Sequence, residues 1–384
     1  MVRGREGETE TAVRANGISL AEIRAAARGV RYKGRLMKLR IAQVAPLWTP
    51  IPPQTYGGIE LLMKLLIDEL VARGHEVTLF ASGDCSTAGR LHEVVEVNLG
   101  DLLGSGRGYC FEYYANSTMA EVIAAQGEFD IVHFHLSSAW LPLAAAMKTP
   151  GLFTLHTSPH HDDEWVMRRW PQVAVNGISR CQMHGAALRL GREFPIVYNG
   201  CDFDAYELNV EPGQYLAFLG RLSPEKNPLD AIRIAEACDM PIVLAGQPQN
   251  ANETRYFEEK IKPLIDGERV RWIGAVNHPQ KNLLLRHASA LLFPIQWEEP
   301  FGLVMIEAMA CGTPVVAHRR GSVEEVVDPG VTGYHAGVID GMAELVPQAL
   351  ALDRRTVRSH AESRFGFRAM VDAYEAQYRA LVTR

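Results

Sequence analysis

Trp297-Glu298-Glu299-Pro300-Phe301-Gly302-Leu303-Val304-Met305-Ile306-Glu307-Ala308-Met309-Ala310-Cys311-Gly312-Thr313-Pro314 runs from a polar, glycine-punctuated loop into an apolar helix. A β-rich run at 290–294 precedes it and another at 314–318 follows. Strand, loop, helix and strand in that order make a βαβ unit, and such units build parallel sheets. Gly302 has no Cβ, so the backbone can approach a ligand closely there. The start of the helix presents unpaired N–H groups and the positive end of the helix dipole, which suits a phosphate. Glu299 stands before the helix and Glu307 inside it. Beside a cleft, each carboxylate can accept hydrogen bonds from sugar hydroxyls. Taken singly, each glutamate reads better as a surface or an ordinary helix residue; the whole string favours a ligand.

The same alternation extends in both directions. Strands are expected at 39–45, 76–81, 130–135, 151–156, 173–178 and 195–198, with helical patterns between them. The helix at 59–73 carries Leu62, Leu65, Leu66 and Leu70 at helical spacing and stops at Gly74. Near Asn199-Gly200-Cys201-Asp202 the pattern restarts, with strands at 214–220, 240–245, 270–273, 290–294 and 314–318 and helices at 229–238 and 303–310. An amphipathic segment at 367–381 closes the chain. The fold class is therefore α/β, in two doubly wound halves with helices on both faces of each parallel sheet. Ligands of such sheets bind beyond the carboxyl ends of the strands, so two facing halves would share one cleft.

A second candidate, Gly220-Arg221-Leu222-Ser223-Pro224-Glu225-Lys226-Asn227, also follows a strand. Arg221 and Lys226 supply the fixed positive charge that a leaving diphosphate needs. Alone, a basic turn is more often solvated surface; beside the first string it reads as a phosphate site. Gly57-Gly58, between the first strand and the first helix, matches neither GxGxxG nor GxxxxGK[ST], so it indicates neither a dinucleotide nor a Walker-type site. It remains either a flexible turn or a place of close contact with phosphate or sugar. His133, His135, His156, His160 and His161 form a group near Asp162, Asp163 and Glu164, but HExxH-like spacing is absent and a metal is not expected. His156 ends a strand and should face the cleft. Asp202-Phe203-Asp204 spells DxD at the join between halves and is read as coincidence.

The 384 residues suffice for two domains of ordinary size. With 47% apolar and 22% charged residues the chain can bury a sizeable core. A net charge of −6 argues against a nucleic-acid binder, and no apolar run is long enough to span a bilayer. None of the six cysteines forms a CxxC pair, which fits reduced thiols in a cytoplasmic protein. Residues 1–40 hold ten Lys or Arg against four Glu and lack a signal-peptide apolar run. A short amphipathic helix at 18–27 would let this arm make peripheral contact with an anionic membrane. The preferred alternative is a poorly ordered basic extension over 1–36, with folded structure beginning near Met37.

Together these residues resemble the retaining family 4 glycosyltransferases of the GT-B fold, over roughly residues 38–384. The resemblance implies two facing Rossmann-like domains: an N-terminal acceptor domain, 37–200 plus 366–384, and a C-terminal nucleotide-sugar donor domain, 201–365. It implies that the last helix crosses back to the N-terminal domain, and that no cofactor or metal is obligatory. Glu307 matches the glutamate that holds the donor ribose, and Glu299 the one that contacts the donor hexose. Arg221 and Lys226 match the diphosphate-binding pair. Gly58, beside Gly57, matches the N-terminal glycine loop, and His156 the histidine near the donor sugar. Backbone N–H groups at Phe301-Gly302-Leu303-Val304 would face phosphates and sugar. The base would be read beside Ile273, in Val270-Arg271-Trp272-Ile273-Gly274. Ala45-Pro46-Leu47-Trp48 with Tyr56-Gly57-Gly58-Ile59-Glu60 is similar to a bacterial subgroup acting on small acceptors, including pterins and antibiotic sugars.

The expected catalytic residues are thus His156, Arg221, Lys226 and Glu299. The expected activity is transfer of a hexose, glucose from UDP-glucose, to an acceptor hydroxyl with retention. The acceptor would be a small metabolite, lipid or glycan precursor. The alternatives are a sucrose- or trehalose-type synthase, a GT-B epimerase, or a non-catalytic protein that binds sugar nucleotides.

Overall fold

Strand runs that alternate with amphipathic helices should lie between helical layers, and they do. The computed structural model describes residues 31–32, 35–36, 38–53, 57–108 and 110–383. The expectations for residues 1–36 fall outside these, apart from an antiparallel pairing of Arg31–Tyr32 with Arg35–Leu36. Tyr56 of the glycine loop also lies outside them.

The first sheet is built from β1 (Arg40–Val44), β2 (Glu76–Ser82), β3 (Arg90–Val95), β4 (Ile131–Phe134), β5 (Gly151–Thr154) and β6 (Ala174–Asn176). All its pairings are parallel, in the order β3-β2-β1-β4-β5-β6. The second sheet repeats the plan with β7 (Tyr215–Leu219), β8 (Ile242–Ala245), β9 (Val270–Trp272), β10 (Ala288–Phe293), β11 (Val315–His318) and β12 (Gly333–Ala336), in the order β9-β8-β7-β10-β11-β12. Both orders reverse direction beside their first strand. That switch point, β1/β4 in one sheet and β7/β10 in the other, is where a doubly wound sheet opens a crevice for ligand.

The central strands are buried along their length, as a parallel sheet covered on both faces requires. In α1 (Gly58–Ala72), Leu62, Met63, Leu66, Ile67 and Leu70 form the buried stripe, and Gly74, at φ +90°, turns the chain out of the helix. Further helices are α2 (Leu99–Gly104), α3 (Phe111–Ala125), α4 (His161–Arg169), α5 (Arg180–Leu190), α6 (Pro228–Ala237), α7 (His278–Arg286), α8 (Leu303–Ala310), α9 (Arg354–Phe365) and α10 (Phe367–Val382).

The halves are joined twice, and the two crossings are bonded to each other. Cys201 N–H donates to Phe365 O at 2.8 Å, and Phe367 N–H donates to Cys201 O at 3.0 Å. A Cβ on Gly200 would lie 2.5 Å from the Phe367 Cα, so glycine permits this approach. Beyond it, α10 returns to the first half. Met370, Val371, Tyr374, Tyr378 and Leu381 share one apolar core with α1 and β1. Arg73, at the end of α1, bonds Asp372 at 2.5 Å and Glu375 at 3.0 Å.

Three strand expectations are corrected. Residues 195–198 make one bridge, Gly177 with Ile196, because Pro195 has no N–H to continue a ladder. The edge strands β3 and β12 were not anticipated. Arg90-Leu91-His92-Glu93-Val94-Val95 is half-solvated and lacks a continuous apolar run, and Gly333-Tyr334-His335-Ala336 has almost none. All six cysteines are unpaired, and among the described residues no helix is long and apolar enough to cross a membrane.

Candidate active site

At the β7/β10 switch point two loops meet. The loop after β7 carries Arg221 and Lys226; the loop after β10 carries Trp297 to Gly302. Gln296 N–H donates to Glu225 O at 2.7 Å and ties them together. The Lys226 ammonium makes a short ion pair with Glu299. It also lies 5.1 Å from the Trp297 ring centroid and 5.8 Å from that of Phe293. Trp297 Nε1 donates to the same Glu299 oxygen at 2.9 Å. Glu299 is buried, so its charge needs these partners. Arg221 binds Glu253 at 2.5 Å and lies 3.5 Å from Glu225.

The Glu298-Glu299-Pro300 loop is backed by the turn after β11. Gly321 N–H donates to Glu298 at 2.7 Å and Ser322 N–H to Glu299 O at 2.9 Å. Gly321 sits at φ +58°, and a Cβ there would fall 2.3 Å from Glu299 N, so no side chain fits. Gly302, at φ +78°, is the N-cap of α8 and has no side chain to occupy the free N–H groups of the first turn. Phe301 is buried beneath it. Glu307, buried one turn on, accepts from the Tyr206 hydroxyl at 3.0 Å and is ion-paired with Lys281 of α7. Ile273 is exposed beyond the end of β9, and its N–H is committed to Leu244 O at 3.0 Å.

The first domain meets this cluster at its glycine loop. A Cβ on Gly58 would stand 2.9 Å from Leu303 Cδ1, at the very start of α8. A Cβ on Gly57 would stand 2.5 Å from the Pro53 Cβ of its own loop. Leu303 packs against the cores of both halves. A second contact is polar: Arg180 N–H and Cys181 N–H, at the start of α5, donate to the Glu325 carboxylate at 2.9 and 2.7 Å. Tyr198 donates to it at 2.8 Å.

His156 heads a buried chain of polar groups. Its Nε2 lies 3.0 Å from His135 Nδ1, and His135 Nε2 lies 2.9 Å from Gln43 Oε1. Gln43 Nε2 donates to the Tyr378 hydroxyl at 3.0 Å, which is 2.7 Å from His133 Nδ1. His133 Nε2 is 2.7 Å from Thr154 Oγ1, which donates to Asn176 Oδ1 at 2.8 Å. Burial holds all three imidazoles below their ordinary value, His156 at about 4, so they are neutral near pH 7. An amide oxygen only accepts, so His135 Nε2 carries the proton and its Nδ1 must accept from His156 Nε2–H. That leaves Nδ1 of His156 as a hydrogen-bond acceptor. It lines a cavity of about 300 Å³ in the first domain.

Lys226, Glu299 and Gly302 are thus brought together with Trp297. Arg221 shares their loop, with its guanidinium turned to Glu253. His156 belongs to the cavity of the other domain, whose lining does not include Arg221, Lys226 or Gly302. Gly58 against Leu303 is what joins the two regions. Sequence reasoning missed Glu253, Lys281, Gln43 and Tyr378. Each comes from an element remote in sequence, and only the amphipathic pattern of 367–381 hinted at one of them. The DxD pair is a turn: Asp202 caps it by accepting from Asp204 N–H at 3.2 Å. His160 and Asp163 form a reciprocal cap on α4. Among the described residues no group of three or more His, Cys, Asp or Glu side chains is arranged to hold a metal ion.

Comparison with known proteins bears on the family and the fold. The profile described as Glycosyl transferases group 1 matches residues 203–360, and that described as Glycosyltransferase Family 4 matches residues 56–183. A phosphatidyl-myo-inositol mannosyltransferase of Mycobacterium leprae is 27% identical over 356 residues, covering 83% of this chain and 88% of its own. The crystal structure of a glycosyltransferase involved in avilamycin A biosynthesis is 29% identical with a TM-score of 0.69, over 90% of this chain and 98% of that one. An Anabaena protein solved in complex with UDP-glucose shares the fold, with a TM-score of 0.67 at 20% identity over 88% and 99% of the two chains. Two Rossmann-like domains matched in this way define a transferase of sugars. The chain is a GT-B glycosyltransferase of the family 4 type.

Proposed function

We propose that the enzyme transfers glucose from UDP-glucose to an acceptor hydroxyl with retention at the anomeric carbon, and that Arg221, Lys226 and the α8 N-terminus hold the diphosphate. The observation that carries this is the cluster of Lys226, Trp297, Glu299 and Gly302 at the switch point. It combines a cation, an aromatic face, a fixed carboxylate and free helix-end amides. The Anabaena protein's complex with UDP-glucose supports the choice of donor.

As the bond from the anomeric carbon to the phosphate oxygen breaks, negative charge grows on the departing UDP. Lys226, Arg221 and the Gly302–Val304 amides would face that developing charge. Glu299 would accept from hexose hydroxyls while its other bonds, from Trp297 and Lys226, fix its direction. Glu307 would accept from the ribose, and the backbone beside Ile273 would meet the base. The acceptor oxygen forms the new bond to the anomeric carbon, and its proton passes to the leaving phosphate oxygen. Donor and acceptor domains meeting at Gly58 and Leu303 would exclude water from this step. No side chain of the cluster needs to act as a covalent nucleophile.

Incubation with UDP-glucose labelled in the hexose, followed by product analysis, tests the proposal. A labelled α-glycoside and free UDP are expected. A free sugar epimer without glycoside, or failure to bind UDP-glucose at all, would overturn it.

A further inference from the structure

The cavity beside His156 has a character that the donor cluster lacks. Its walls come from the loop ends of the first sheet: Trp48 after β1, Phe111 at the start of α3, Trp140 after β4 and His156 after β5. Trp48 is 46% exposed and Phe111 39%, although both are large apolar side chains. Their ring centroids are 5.6 Å apart at an interplanar angle of 42°, so they form one aromatic surface facing open space. Its volume, about 300 Å³, is at the lower end of the range for small-molecule sites, ~300–1,000 Å³.

Its polar lining is made of hydroxyl groups, one carboxylate and the imidazoles of His135, His156 and His160, the last accepting from Asp162 N–H at 3.1 Å. Among the described lining residues there is no lysine or arginine. The one carboxylate, Asp163, is already engaged by the Ser138 hydroxyl and by His160 N–H at 2.8 Å. His156 offers a lone pair and no positive charge. A phosphate ester placed here would be desolvated with no lysine or arginine of the lining to meet it. The Ile59 wall adjoins Gly58, which touches Leu303, so this end of the cavity lies nearest the donor cluster.

We propose that the acceptor taken by this cavity of the first domain is an uncharged hydroxyl compound with a flat apolar face seated on Trp48 and Phe111. This rests on the transferase activity proposed above. Aromatic rings bind both the C–H face of a sugar and a planar aromatic alcohol, and two kinds of acceptor therefore carry the required chemistry.

Calorimetric titration of the full-length protein, with UDP present, distinguishes them. The probes are methyl β-D-glucopyranoside, 2-naphthol, 4-nitrophenyl β-D-glucopyranoside and glucose 6-phosphate. The nitrophenyl glucoside is expected to bind, and glucose 6-phosphate to bind more weakly than the methyl glucoside. Stronger binding of 2-naphthol than of methyl glucoside identifies an aromatic alcohol, and the reverse a sugar face. Trp48→Ala and Phe111→Ala should each weaken the nitrophenyl glucoside by roughly tenfold, with Trp48→Phe restoring most of it. The inference is overturned if glucose 6-phosphate binds best, if no uncharged probe binds, or if both alanine variants bind as the wild type does. A separate titration with UDP-glucose keeps the outcomes apart: donor binding without these acceptor results sinks the acceptor class alone.

Discussion

The hydroxyl of Tyr378 lies 2.7 Å from Nδ1 of His133, although the two residues are 245 positions apart in the chain. Tyr378 belongs to α10, and His133 to β4 at the centre of the first sheet. The bond sits midway in a buried relay that runs from His156 at the cavity to Asn176 in β6. The returning helix therefore does more than cover apolar surface. Its Tyr378 hydroxyl accepts from Gln43 Nε2, and the oxygen of the same amide fixes His135 and, through it, His156.

Tyr378→Phe keeps the ring and removes the relay's midpoint. Gln43 Nε2 then loses its acceptor and His133 Nδ1 its donor, both fully buried. A buried unsatisfied polar group costs about 1–3 kcal/mol. Urea unfolding should show a loss of that order. Turnover should fall as well, since Gln43, whose oxygen fixes the tautomers of His135 and His156, loses the partner that anchors its amide. Wild-type stability together with wild-type turnover would refute the relay.

The neutral histidines also fix a direction for pH dependence. In the unfolded chain they take up protons below about pH 6.5, while burial keeps the folded ones neutral, His156 down to about 4. The unfolded state then binds more protons across that window, so stability rises with pH there. Their contribution is complete above about 6.5 and is lost on acidification. Glu375 acts in the same sense at lower pH, because hydrogen bonds from His75, Arg379 and Arg73 hold its carboxyl below the ordinary value. Unfolding free energies at about pH 7.5, 6 and 5 should decline in that order; a flat series would contradict the buried neutral state.

Lys226→Ala addresses the donor cluster. It removes the cation that pairs with Glu299 and lies beside Trp297. Loss of one such charge-stabilising group costs on the order of a hundredfold in rate. Release of UDP from UDP-glucose should slow by about that factor, with an unchanged far-UV circular dichroism spectrum. Near-normal turnover would remove Lys226 from the proposed mechanism.

How much of this was readable beforehand follows from range. The string at 297–314 contains its own strand end, glycine and helix start, and α8 occupies the expected 303–310. Gly74 likewise marks the end of α1. Such signals are local, and periodicity registers them. Glu253 beside Arg221, Lys281 beside Glu307 and Gln43 beside Tyr378 are pairings across the fold, and no spacing in the chain encodes them. The edge strands β3 and β12 failed for the opposite reason: one open edge lets polar residues and glycine into a strand. His156 was expected to face the cleft and lines a cavity of the first domain, but its tautomer depends, through His135, on Gln43 in β1, which no spacing places beside it.

Glu325 gives the last test, because it links the halves through a contact other than Gly58 against Leu303. Its carboxylate accepts two backbone N–H groups at the start of α5 and the Tyr198 hydroxyl. The positive end of a helix dipole favours such a carboxylate, typically by ~0.3–1 kcal/mol and more when partly buried. Glu325→Ala removes all three bonds from the contact and leaves the Gly58–Leu303 approach as it is. The halves should then spend more time apart, seen as a larger radius of gyration in small-angle scattering. Water would reach the donor more often, so a greater share of UDP-glucose should be hydrolysed rather than transferred. An unchanged radius and an unchanged hydrolysis share would mean that Glu325 does not hold the domains together.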